Sequence, residues 1–76
     1  METKITEEFG GFVKNLDTGE YDLRFRTEIS DRLALNRAIE DANVANKYMN
    51  GNYDSNDVII KRRTIEITYG EWNDVV

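Results

Sequence analysis

Three groups of side chains in this sequence have the types and spacing to do chemistry. The first is a set of carboxylates, Glu20, Asp22, Glu28, Asp31, Glu40 and Asp41, of the kind that supplies a proton donor and a proton acceptor to hydrolysis. Such a pair needs one desolvated member, and each of these residues has a plain place on an exposed strand face, at a helix start or on a helix exterior. The second group is oxygen at alternate positions, Asn50, Asn52, Asp54 and Asn56, which invites comparison with a calcium loop. Counted from Asn50, such a loop needs glycine at its sixth position and a bidentate glutamate at its twelfth. This chain has Ser55 and Lys61 there, so a solvated loop is the better reading. The third group is Lys61-Arg62-Arg63 together with Arg24, Arg26 and Phe12. Bases interleaved with an aromatic can hold phosphates and stack a nucleobase. Glu20, Asp22, Glu28 and Glu66 are expected on the same sheet face, where ion pairing would use up the bases.

Asp17-Thr18-Gly19 matches the catalytic triplet of aspartic proteases, whose paired carboxylates share a proton. That triplet lies among apolar residues in a buried loop, whereas here Glu20 follows at once, and Asp and Gly are ordinary turn residues at these positions. The chain holds no histidine and no cysteine. It therefore lacks the usual acid-base group of neutral pH, the imidazole triads, most zinc sites, thiol nucleophiles and disulfides. We expect no enzyme activity, no catalytic residue, no metal site and no cofactor.

Fifteen acidic residues against ten basic ones give a net charge of −5, which disfavours sequence-independent attraction to nucleic acid or to an anionic membrane while leaving room for a local basic patch. At 76 residues the chain is a single domain, which buries only about 60% of its unfolded surface, so a deep internal site is not expected. No apolar run approaches the ~18 residues of a membrane span, and the opening Met1-Glu2-Thr3 lacks a basic and then apolar segment. A soluble protein of a reducing compartment, the cytoplasm, is the expectation.

One alternating stretch sets the elements that position these groups. From Glu20 to Ile29, Tyr21, Leu23, Phe25, Thr27 and Ile29 alternate with Glu20, Asp22, Arg24, Arg26 and Glu28, the period of a strand with one buried face. Asp17-Thr18-Gly19 suits a three-residue hairpin loop back to a strand at Phe12 to Leu16. With Leu16 opposite Glu20, Val13 meets Leu23 on the core side, while Lys14 opposes Asp22 and Phe12 lies beside Arg24 on the outer side. Gly11 then faces Phe25, leaving room for the ring or for a helix. Residues 1 to 8 are polar apart from Ile5 and are expected to fray or to form a short edge strand.

Ser30 is a good N-cap, Asp31 suits the helix dipole and Asn50-Gly51 supplies a stop. Between them Leu35, Ala38, Ile39, Ala42, Ala45, Asn46 and Met49 share one narrow, alanine-rich face that lets the helix lie close to a sheet. Val58 to Trp72 reads as one long or two short strands, with a bulge or break at Lys61-Arg62-Arg63 to turn both apolar sets onto one core and with Trp72 at least partly buried. The fold class is α+β: a small antiparallel-based sheet in ββαβ order with one helix packed on one face. A right-handed crossover gives the spatial order second, first, third.

Leu33, Val44 and Tyr48 lie on the other side of the helix around Arg37, with Glu40 and Asp41 as an acidic rim. Tyr and Arg are enriched where interfaces carry their energy, so this patch is the expected contact for another protein or, if self-complementary, for a homo-oligomer. The C-terminal stretch VIIKRRTIEITYGEWNDVV, with the brevity, acidity and lack of Cys and His, resembles the small orphan proteins of bacteriophages and prophages. That resemblance implies a non-catalytic protein that blocks or modifies a host component such as a nucleic-acid enzyme, its acidic groups standing in for phosphates. The competing reading is a nucleic-acid-binding sheet face using Phe12, Arg24, Arg26, Arg62 and Arg63.

Overall fold

The computed structural model describes residues 2–75. Strands β1 (Glu2–Asn15) and β2 (Tyr21–Thr27) form a hairpin, helix α1 (Asp31–Tyr48) crosses the sheet, and β3 (Tyr53–Tyr69) returns to the far side of β1. The three strands form one antiparallel sheet in the order β2-β1-β3, as the ββαβ reading anticipates. Among the described residues no helix is long and apolar enough to cross a membrane.

The helix forms where its caps place it. Ser30 Oγ accepts from the Leu33 amide at 3.1 Å, and Asn50 adopts a left-handed φ of 56° just past the last turn. Its sheet-facing stripe is Ala34, Ala38, Ala42 and Ala45, all buried, while Leu35 and Ile39 flank it half-buried and Met49 is exposed. Asn46 lies outside the stripe and ties down β3 instead. Its side chain accepts from the Tyr53 amide and donates to the Tyr53 carbonyl, both at 2.8 Å.

With only methyl groups on its inner face, the helix lies almost on the sheet, and Gly11 makes that approach possible. A Cβ at Gly11 would stand 2.4 Å from Ala38 Cβ and 2.6 Å from the Ala34 carbonyl oxygen. The core is correspondingly thin: Val13 is the one large side chain fully buried among the described residues, with Phe25, Tyr53 and Val58 packed around it and the alanines.

Three expectations about the strands are corrected. The hairpin loop has four residues, Leu16 to Gly19, closed by Asn15 N donating to Glu20 O at 2.8 Å, with Gly19 at φ 76° as expected. The added loop residue puts Lys14 opposite Tyr21, Val13 opposite Asp22 and Phe12 opposite Leu23, while Gly11 still faces Phe25. Between those pairs β2 carries one extra residue, Arg24, in a β-bulge. The bulge reverses the facing of everything before it, so Leu23 leaves the helix side and Asp22 enters it.

Of the two forms expected for the N-terminal residues, residues 2 to 8 take the strand, as one end of the 14-residue β1 with its other side unpaired. They pair regularly from Glu2↔Tyr69 to Glu8↔Arg63, and Met1 lies outside the described residues. β3 is one strand, and its register passes through Lys61-Arg62-Arg63 without a break. Its irregularity lies upstream, where Val13↔Val58 is followed by Lys14↔Asp54 and residues 55 to 57 loop out. No bulge is needed at the basic triplet because the two apolar sets serve different faces. Val58 and Ile60 share the helix side with Val13 and Gly11, and Ile65, Ile67 and Tyr69 lie on the other. Trp72 lies beyond the strand, 98% exposed.

Since β2 stops pairing at Phe9↔Thr27, the end of β1 and the end of β3 continue alone as a two-stranded ribbon. The molecule is accordingly elongated, 51 × 27 × 21 Å, with a radius of gyration of 16.7 Å where a compact chain of this length would have ~11 Å.

Candidate functional site

The bulge at Arg24 decides which charges meet which face. On the helix side Asp22 Oδ2 accepts from Asn15 Nδ2 at 3.1 Å and from the Tyr53 hydroxyl at 3.2 Å. That hydroxyl in turn accepts from Arg24 Nη1 at 3.1 Å, and Arg24 Nε donates to Asp41 on the helix. The guanidinium carbon also sits 4.7 Å from the Tyr53 ring centroid. Burial works against the charge on Arg24, but the bond and charge of Asp41, with Tyr53, outweigh it and hold the guanidinium above its ordinary pKa. Arg24 is thus a clasp joining β2, β3 and α1. It is removed from the expected basic face, because a bulged residue reaches partners that strict alternation would deny it.

On the open side the same bulge leaves a basic and apolar surface. Gly10 stands opposite Arg26 on β2 and Lys61 on β3, so two cations about 10 Å apart at the backbone flank a position with no side chain. Phe12 and Leu23 form the next cross-strand pair and lean over that gap, each with a carbon 3.0 Å from where a Gly10 Cβ would be. Lys61 Nζ lies 4.9 Å from the Phe12 ring centroid, a cation-π contact made by Lys61 in place of the expected Arg24.

The result is a shallow cleft of about 210 Å³, lined among the described residues by the bases Arg26, Lys61 and Arg63, by Arg62, which falls on the helix-side parity of Ile60 and Glu66, and by one acid, Glu8. Glu8 is held by Arg63, with Nη2 at 2.6 Å and Nε at 2.8 Å. The acids expected to neutralise this face lie elsewhere. Asp22 is on the helix side, Glu66 pairs with Ile5 on that side too, and Glu20 and Glu28 fall outside the strand.

The helix patch is less concentrated than its sequence. Val44 and Tyr48 are exposed, at 49% and 71%, but Leu33 is half-buried. Arg37 is paired with Glu40 at 3.0 Å, Asp41 is engaged by Arg24, and Lys47 Nζ lies 5.2 Å from the Tyr48 ring centroid.

The loop oxygens have local work. Asn52 Nδ2 donates to Asp17 Oδ1 at 2.9 Å, Asp54 Oδ1 accepts from the Asn56 amide at 3.0 Å, and Asp57 accepts from the Tyr21 hydroxyl at 2.8 Å. Of the expected nucleic-acid set, Phe12, Arg26 and Arg63 share the open face, Arg62 borders the cleft from the helix-side parity of β3, and Arg24 is elsewhere; Lys61 and Leu23 join the open face. Gly10 is the member that sequence reasoning missed, and its signal was the Gly10-Gly11 doublet, which serves the two faces in turn. No family model, no curated protein and no solved structure matches the chain.

Proposed function

We propose that the chain is a non-catalytic binding module whose open sheet face takes up single-stranded nucleic acid. The observation that carries this is the shallow cleft over Gly10, where Arg26 and Lys61 stand on either side of a glycine covered by the edges of Phe12 and Leu23. The spacing suits a phosphate between two cations with a base against the aromatic edge. The charge of the whole chain is unfavourable, but the cleft carries a local excess of bases, since Arg26 and Lys61 stand there beside an Arg63 that is paired with its one acid, Glu8.

Anisotropy of a fluorescein-labelled single-stranded oligonucleotide tests the reading. Binding is expected to weaken with salt along a log-log slope of about −2 to −3, the value for three or four phosphate contacts. Arg26→Glu with Lys61→Glu is expected to weaken it roughly tenfold or more with an unchanged circular dichroism spectrum. Absence of binding at low salt, or binding that the double variant leaves intact, overturns the reading.

A second reading is favoured by the exposure of Val44 and Tyr48 on α1: protein docking by the helix flank, the surface occlusion that the phage-type resemblance implies. Capture of a partner that survives Arg26→Glu with Lys61→Glu and is lost with Val44→Asp and Tyr48→Ala would place function there. The geometry ranks it second because Arg37 and Asp41 already have partners within the chain.

A further inference from the structure

β3 is an edge strand along its whole length, and beyond Phe9 its only neighbour in the sheet is an equally unpaired β1. Free edges of this kind are templates for pairing, and proteins blunt them with charge, proline or bulges. The part of β3 beside the loop is blunted by the bulge at residues 55 to 57, whereas Val58 to Tyr69 runs regularly, without proline and rich in β-branched residues, and is blunted only by the charges of Lys61, Arg62, Arg63 and Glu66, so any pairing must be one that offsets them. An isolated two-stranded ribbon is also marginal in water. We infer that β3 pairs antiparallel with β3 of a second copy, joining two sheets into one continuous six-stranded sheet.

The register follows from symmetry and charge. A two-fold axis between antiparallel edges must place some residue opposite its own copy. Two choices overlap the regular stretch of β3 best, those centred on Arg63 and on Thr64. Centring on Arg63 sets that arginine against itself, and moving the centre to Arg62, Lys61 or Glu66 again opposes like charges. Centring on Thr64 places Arg62 opposite Glu66 of the second copy, twice by symmetry, with no like pair anywhere from Ile59 to Tyr69. Centring on Ile65 creates neither like nor opposite pairs, so charge favours Thr64 alone. The partner is therefore another molecule of this chain, and the inference stands whether or not the cleft binds nucleic acid.

Sedimentation equilibrium from micromolar to millimolar chain concentration, joined to cysteine cross-linking, tests it. The chain has no native cysteine, so a single Thr64→Cys substitution reports the register directly. It is expected to form a disulfide-linked dimer roughly tenfold faster than Arg63→Cys or Ile65→Cys, since neither of those meets its own copy in this register. Glu66→Arg is expected to weaken self-association by about tenfold or more, and adding Arg62→Glu to restore it. A wild-type chain that stays monomeric throughout, a Glu66→Arg variant that associates as before, or a charge swap that fails to restore association overturns the inference.

Discussion

On the covered side of the sheet a methyl group at Gly11 would stand 2.4 Å from Ala38 Cβ and 2.6 Å from a helix carbonyl; on the open side one at Gly10 would meet only the tips of Leu23 and Phe12, at 3.0 Å. The two glycines are neighbours on one strand and serve unlike purposes. Gly11 lets an alanine-striped helix close down, and what it touches is backbone and Cβ, which cannot move without moving the element. Gly10 is also buried, but what covers it are side-chain ends, one of them the 45% exposed Leu23. The same missing side chain admits rigid backbone on one face and movable side-chain tips on the other.

That contrast is sharpest in stability measurements. Gly11→Ala is expected to destabilise by roughly 3 kcal/mol or to prevent folding, because the helix has to lift from the sheet. Gly10→Ala is expected to cost under about 1 kcal/mol, since flexible tips can give way, and to weaken oligonucleotide binding instead. Urea titration of the two variants, with anisotropy on the second, reads both effects. Equal destabilisation would mean that the open face is packed as tightly as the covered one.

Arg24→Ala probes the clasp that keeps the faces different. It removes a charged hydrogen bond to Asp41 and one to Tyr53, a loss expected at about 1–2 kcal/mol given that the pair is partly solvated. Part of the cost comes from leaving Asp41 and the Tyr53 hydroxyl without their donor. A denaturation midpoint unchanged from wild type would show that the bulge persists without its arginine.

The smallest effect belongs to the open side of the hairpin. The Tyr21 phenol is held above its ordinary pKa, first by the hydrogen bond it donates to Asp57, then by burial and by the charges of Asp57 and Asp54. The folded chain therefore favours the neutral phenol more than the unfolded chain does. This contribution is complete below the ordinary tyrosine value of about 10 and is lost as pH rises through the raised one. Asp57→Asn is expected to bring the titration of Tyr21, followed by carbon NMR of the ring, back toward the ordinary value.

Much of this architecture could be read from local chemistry. Ser30 and Asn50 bound the helix because a hydroxyl cap and a left-handed residue act within one turn. The β2-β1-β3 order follows from hairpin geometry and one crossover, whereas Gly11 opposite Phe25 is met only because the bulge cancels the one-residue shift of the longer loop. The bulge was not legible, because an unbroken alternation in β2 looks the same whether or not its partner strand skips a residue. What selects the bulge is Tyr53 and Asp41, which meet Asp22 and Arg24 only after the whole fold has closed. The ribbon was missed for the opposite reason. Residues 2 to 8 offer little apolar surface of their own, and they are ordered by pairing with the far end of the chain. The open cleft was half visible: its bases and its aromatic were named, but its floor is a glycine whose neighbours only the register reveals.

Of the three strands the first in sequence is the central one, and half of its ladder waits for the third. A nascent chain leaving the ribosome can complete the hairpin and the helix early, but β1 keeps one edge bare until Tyr53–Tyr69 has emerged to cover it. Closure then joins residues as distant as Glu2 and Tyr69, and such long-range pairing is intrinsically slow. Until that closure the bare edge of β1 is open to mispairing.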